Sequence, residues 1–163
     1  MKEKSVSLSP ISKEDFHVYL QKQITEYAEE KIKAGSWDKE EAYLLSKKSF
    51  RELLPDGKNT SDHSIMVITD TLSAEKIGVI WVEWNNQNYK STYLWDIIIY
   101  DKFRRMGYGS RAMNILESMV KDHGMSSLVL HVFGHNKNAI SMYYRLGYHA
   151  VDIIMEKNLK GNI

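Results

Sequence analysis

A run of apolar residues, Ile97-Ile98-Ile99, passes into Tyr100-Asp101-Lys102-Phe103-Arg104-Arg105-Met106-Gly107-Tyr108-Gly109-Ser110 and then into a helical pattern. The residue types and spacing of this stretch describe a chemistry directly. The first N–H groups of a helix lack intrahelical partners and stand at the positive end of its dipole. Gly107 and Gly109 let such N–H groups approach a ligand closely, and Lys102, Arg104 and Arg105 add cations beside them. The combination suits an anion of the phosphate or pyrophosphate type. The usual nucleotide motifs do not fit. A G-x-G-x-x-G fingerprint needs glycine where Ala112 stands. A P-loop around Gly57-Lys58 would need glycine at Glu52 and a hydroxyl at Asn59.

Two ionisable residues interrupt apolar runs elsewhere: Asp96 in YLWDIIIY and His131 in LVLHVF. A carboxylate in an apolar strand must be paired or serve a site. An imidazole, with a reference pKa of about 6.5, is largely neutral at pH 7 and can accept a proton, although a core histidine satisfied by hydrogen bonds fits the same pattern. His131 and His135 are four apart but span a strand end and a loop. Without further ligands at matching spacing, no metal site is expected.

The composition narrows the setting. The chain has 163 residues, Lys+Arg 22 against Asp+Glu 21, and no cysteine. That length suits one domain, read as residues 1–163, able to bury about 68–70% of its unfolded surface. Absent cysteine excludes a disulfide framework, a thiolate zinc site and a thiol nucleophile. A net charge of +1 gives no strong field toward nucleic acid or anionic lipid. The basic residues form one turn rather than a stripe interleaved with aromatics. MKEKSVSLSP lacks the apolar core of a signal peptide, and no stretch reaches the ~20 apolar residues of a membrane helix. A soluble cytoplasmic domain is expected.

The elements that must position these residues follow from period changes. Ser5–Leu8 alternates weakly as an edge strand. Ser12 caps a helix whose face is Phe16, Leu20, Ile24, Tyr27 and Ala28, ending at Ala34-Gly35. Trp37-Asp38 opens a second helix, stopped by Pro55-Asp56-Gly57. The period then falls to 2 in strands at 65–69, 77–84 and 93–100, the last apolar on both faces. Ala112, Ile115, Leu116, Met119 and Val120 mark a helix, Leu128–Phe133 a strand, and Asn136 the cap of a short helix ended by Gly147. Tyr148–Leu159 supplies one or two final strands. The result is an α/β fold, a mixed sheet with helices on both faces, in the order β-α-α-β-β-β-α-β-α-β(β).

On these residues the chain resembles the GNAT superfamily, the Gcn5-related N-acetyltransferases. Arg104-Arg105-Met106-Gly107-Tyr108-Gly109 matches their [QR]-x-x-G-x-[GA] signature. Asn136 through Tyr148 (NKNAISMYYRLGY) looks like their N-x-x-A-[IR]-x-[LF]-Y-x-x-x-G-[FY] block. The resemblance is specific from about Trp95 onward; residues 1–60 share only the element order. It implies that the backbone of Arg105, Met106, Gly107, Tyr108, Gly109 and Ser110 holds the pyrophosphate of acetyl-coenzyme A. Ile97, Ile98 and Ile99 would align with its pantetheine arm, the thioester would lie where two strands splay, and Asn136 would contact the cofactor. Arg104 belongs to the same turn.

Acetyl transfer to an amine needs a base, donors for the oxyanion and an acid for the departing thiolate. Tyr143, whose phenol has a reference pKa of about 10, resembles the family's acid. The base is His131, similar to a Leu-His-Val of some N-terminal acetyltransferases, or Asp96. Phe103 departs from the relatives that pair such a histidine with tyrosine. Glu83 is a weaker candidate that reads as solvent-facing. Carboxylates at Glu26, Glu29 and Glu30 and at Asp38, Glu40 and Glu41 suit either solvated helix faces or a wall that attracts a cationic amine, including a peptide N-terminus. Relatives often dimerise, and the final strands would offer an edge for a homodimer. A silent coenzyme A-binding regulatory module is the competing function.

Overall fold

Alternation along the strands decides where each side chain goes. In the computed structural model, which describes residues 5–160, Ile65 and Val67 of β2 (His63–Asp70) enter one core while Met66 and Ile68 enter another. β3 (Lys76–Asn86) repeats the pattern, with Val79 and Trp81 on one side and Ile80 and Val82 on the other. Both faces of the sheet are therefore apolar, and each must be covered by helices. α1 (Lys13–Lys33) and α2 (Ala42–Leu53) cover one face; α3 (Tyr108–Asp122) and α4 (Lys137–Arg145) cover the other. With β1 (Val6–Pro10), β4 (Ser91–Ile99) and β5 (Leu128–Leu130), the sheet runs in the order β1-β2-β3-β4-β5. Every pair is antiparallel except β4–β5, which is parallel, as the intervening helix requires. The expected mixed α/β fold is present.

Ser12 caps α1: its hydroxyl accepts from the Asp15 N–H at 3.1 Å. The buried face comprises Phe16, Tyr19, Gln23, Ile24 and Ala28, so Tyr19 points inward where Leu20 was expected to lead. Regular helix α2 starts at Ala42 rather than Trp37, because Asp38–Glu41 is a solvent-facing turn closed on the Asp38 carbonyl. Trp37 instead meets Tyr27 edge-on.

Two backbone details set the path of β4. A Cβ on Gly78 would overlap the Ile98 carbonyl oxygen, so only glycine permits this closeness of β3 and β4. Gly78→Ala would force β4 outward. The register then slips by one residue: Trp81 faces Asp96 while Val82 faces Leu94, which leaves Trp95 as a β-bulge.

The C-terminal third differs from the expected pattern in two places. Only Leu128–Leu130 joins the ladder, so the strand stops short of His131 and Phe133 and lies at the sheet edge. The final strands of 148–159 do not form among the described residues. A three-residue β5 is a short template, and Val151, Ile153, Ile154 and Met155 are a run without strict alternation; all four are exposed. The apolar pattern was present, but no strand edge of matching length receives it. The signal-peptide reading rests partly on residues 1–4, and the domain reading extends to 161–163; both stretches lie outside the described residues. No described helix is long and apolar enough to cross a membrane.

Candidate active site

The parallel ladder pairs Thr92 with Leu128, Tyr93 with Val129 and Leu94 with Leu130, and then ends. The bulge at Trp95 follows immediately. Bulges bend the strand that carries them, and β4 continues to Ile99 paired with β3 alone. One side of Trp95–Ile99 is consequently uncovered by any strand, although Arg104 donates to the Ile99 carbonyl and the Ile97 N–H to the Asp96 carboxyl. An edge without a partner strand can accept an extended ligand as an added strand.

Beyond Ile99 the chain enters the basic turn. Phe103 is buried as its anchor, against Tyr108 edge-on. Arg104 donates from Nε to the Ile99 carbonyl (2.9 Å) and pairs with Asp101 (3.0 Å). Lys102 pairs with Glu75 at 2.8 Å. These two cations hold the turn in place, whereas Arg105 is exposed and has no carboxylate partner among the described residues. Gly107 precedes α3 with φ +82°, a left-handed conformation that suits glycine. No side-chain hydrogen bond caps α3 at Gly107, and the turn lies at the positive end of that helix. These features fit a pyrophosphate. Tyr108 contributes only its main chain, because its ring is buried and its hydroxyl donates to Asp70. Asn136 uses Oδ1 to cap α4, accepting from the Ala139 N–H at 3.2 Å.

The candidate acid and bases are Tyr143 on α4, Asp96 on β4 and His131 just past the end of the β4–β5 ladder. Tyr143 on α4 is buried in the layer that includes α3 and meets Tyr148 edge-on. Burial, and then the field of Asp96, push its phenol well above the usual range, so it stays protonated. Asp96 lies on the opposite face, where the Tyr19 hydroxyl donates to Oδ2 at 2.8 Å. Burial raises its carboxyl to about 7; Glu26 adds to the rise, while the Tyr19 and Ile97 hydrogen bonds oppose it. His131 lies just past β5, edge-on to Phe133 at 5.1 Å. Its residue keeps solvent access, yet loss of hydration around the ring, and then the Lys31 charge, lower its pKa. Both groups can therefore be proton acceptors near neutral pH.

Glu83 is half-buried rather than solvent-facing. It accepts from Asn86 at 2.8 Å and from the Trp95 indole at 3.0 Å, and so it fastens the bulge. Glu26 pairs with Lys22, while Glu30 meets Lys33 and His135. Two contributors escaped the sequence reading. Tyr19 is the phenol that partners Asp96, and the need of that carboxylate for a donor was its only signal. The rings of Tyr27, Trp37 and Phe133 gather from three elements, which no local pattern announces.

Known proteins are similar to this chain. The family model described as the acetyltransferase (GNAT) family matches residues 22–148. The uncharacterized N-acetyltransferase YycN of Bacillus subtilis (strain 168) is 33% identical over 156 residues, 95% of this chain and 99% of YycN. The YycN crystal structure has a TM-score of 0.90, covering 96% of this chain and 100% of that one. YdgE of the same organism, another uncharacterized N-acetyltransferase, is 27% identical over 94% of this chain and 98% of its own. At 18% identity, the PaiA N-acetyltransferase of Thermoplasma acidophilum, solved in complex with coenzyme A, shares the fold with a TM-score of 0.64 over 92% and 93% of the two chains. The turn and the buried tyrosine thus sit in a chain matched along most of its length, and this protein is an acetyltransferase that belongs to the acetyltransferase (GNAT) family.

Proposed function

We propose that this protein transfers the acetyl group of acetyl-coenzyme A to a primary amine by direct attack in a ternary complex. The observation that carries the reading is the uncovered edge of β4, with a helix N-terminus at one end and acid and base candidates around it. The turn of Arg105–Ser110 binds the pyrophosphate through main-chain N–H groups, with Arg105 as the free cation. Main-chain groups of Ile97–Ile99 hold the pantetheine arm, and N–H groups on the uncovered side of β4 serve the oxyanion.

An ammonium has no lone pair, so the acceptor must give a proton to Asp96 or His131 before or during attack. The amine nitrogen then forms its bond to the thioester carbonyl carbon. The C–S bond breaks, its electron pair leaves on sulfur, and Tyr143 supplies the proton that this sulfur takes up. The second proton lost by the acylated nitrogen passes through solvent to restore the phenol. Without cysteine there is no cysteinyl acyl-enzyme, which favours transfer in one complex. The described fold acts as one domain.

Thiol release from acetyl-coenzyme A with a panel of amines tests the reading, comparing wild type with Tyr143→Phe. Amine-dependent release that falls in the variant is expected. Tight coenzyme A binding without turnover of any amine would replace the enzyme with a coenzyme-binding module.

A further inference from the structure

The Lys31 ammonium has an unusual setting for a helix lysine. It lies 5.5 Å from the Tyr27 ring centroid, 5.4 Å from that of Trp37 and 6.0 Å from that of Phe133. Tyr27 links the other two rings. Tyr27 meets Trp37 edge-on at 5.4 Å and Phe133 at 6.4 Å, and Tyr27 is braced from behind by Phe50 at 6.0 Å. Among the described residues no carboxylate is within ion-pair distance of Lys31, although Glu30 is its neighbour. Glu30 is taken by Lys33 and His135. With its neighbouring carboxylate taken, this flexible lysine rests near three aromatic rings, and such a grouping of rings is a way proteins hold ammonium ions.

The position of this group gives it a role. Phe133 touches His131 edge-on, and the Lys31 charge reaches that imidazole. The cage therefore adjoins one base candidate of the proposed reaction. We infer that Tyr27, Trp37 and Phe133 form a cation subsite for the acceptor, in which Lys31 is a tethered occupant that a ligand ammonium displaces. This rests on the acetyl-transfer reading for its acceptor class: an amine that carries a second positive nitrogen. One ammonium stays in the cage while the other nitrogen, deprotonated, attacks the thioester. Lys31 then competes with substrate at all times, and it also keeps the rings apart when no amine is bound.

Two measurements on the full chain test this. In the first, tetramethylammonium is titrated while the Trp37 indole signal is followed by NMR, assigned by its loss in Trp37→Phe. A saturable shift is expected, at lower concentration in Lys31→Met than in wild type, because the resident cation is gone. No saturable shift in Lys31→Met overturns the subsite, whatever the activity. In the second, kcat/KM is measured for 1,4-diaminobutane and for butylamine, which lacks the second cation. Trp37→Leu should lower the diamine-to-butylamine ratio by about ten-fold, chiefly through KM, the size of a cation–π contact of ordinary strength. An unchanged ratio overturns the subsite as well. Saturable tetramethylammonium binding with no turnover of any amine would keep the cage as a cation site and remove the acetyl-transfer reading instead.

Discussion

The two halves of the candidate site are built from different parts of the chain. The half assigned to the acyl donor is main chain: an uncovered strand edge, a left-handed glycine and the open N-terminus of α3. The half assigned to the acceptor is side chain: Tyr19 and Asp96 under α1, His131 past β5, and rings from α1, the α1–α2 connection and the segment after β5. Main-chain recognition depends on backbone geometry, which a few glycines and a helix start dictate locally. Side-chain recognition depends on packing between segments far apart in sequence, as with Tyr19 and Asp96, separated by 77 positions.

The largest effect should come where the halves meet. Tyr143→Phe keeps the ring and removes the proton donor, and should lower kcat by about 10²–10³ while leaving the coenzyme A dissociation constant nearly unchanged. Steady-state kinetics beside calorimetric titration checks both. Equal losses in kcat and affinity would mean that the phenol belongs to the binding half instead.

Next in size is the conformational requirement of the donor half. Gly107→Ala must adopt φ near +82° or distort the turn. About ten-fold weaker coenzyme A binding is expected, from a left-handed cost of roughly 1–2 kcal/mol. Unchanged affinity would break the claim that this half works through backbone geometry.

The acceptor half should respond to pH. If Asp96 is the base, kcat/KM rises through about pH 7, and Tyr19→Phe moves that limb upward, because the lost hydrogen bond favoured the carboxylate. If His131 is the base, the limb lies below 6.5, since its surroundings lower its pKa. Stability gives an independent reading. Burial raises the folded carboxyl of Asp96 to about 7, well above its ordinary value of 3.8. Its stabilising contribution is complete below the unfolded value and is lost as pH rises through 7. Asp96→Asn should therefore gain on wild type between pH 4 and 8, by on the order of a few kcal/mol in denaturant titrations.

The smallest effect sharpens the donor half from within. Lys102→Ala breaks an exposed pair with Glu75 and should change stability by less than ~1 kcal/mol. It should also weaken coenzyme A binding less than Arg105→Ala does. A larger effect at Lys102 would return it to the group of cations that face the phosphates.

How far the sequence could be read follows the same division. The turn of Arg104–Ser110 was legible because its glycines and the helix after it act locally. Tyr143 was legible through the block around Asn136–Tyr148. The two-faced sheet was visible in the apolar run of β4. By contrast, the bulge at Trp95 is a register event between strands, and it left no mark on the pattern of either one. Tyr19 looked like one more position on a helix face. The apolar run after Tyr148 predicts a strand, but β5 offers an edge of three residues to receive it.

A peptide N–H is the same group at every position, so exchanges among β-branched residues at Ile97, Ile98 and Ile99 alter packing but not the hydrogen-bonding edge of β4. A change at Tyr27, Lys31, Trp37 or Phe133 alters what the rings can hold. On the proposed assignment, one substitution among these rings would change the acceptor while the edge of β4 keeps its hydrogen bonds for the acyl donor.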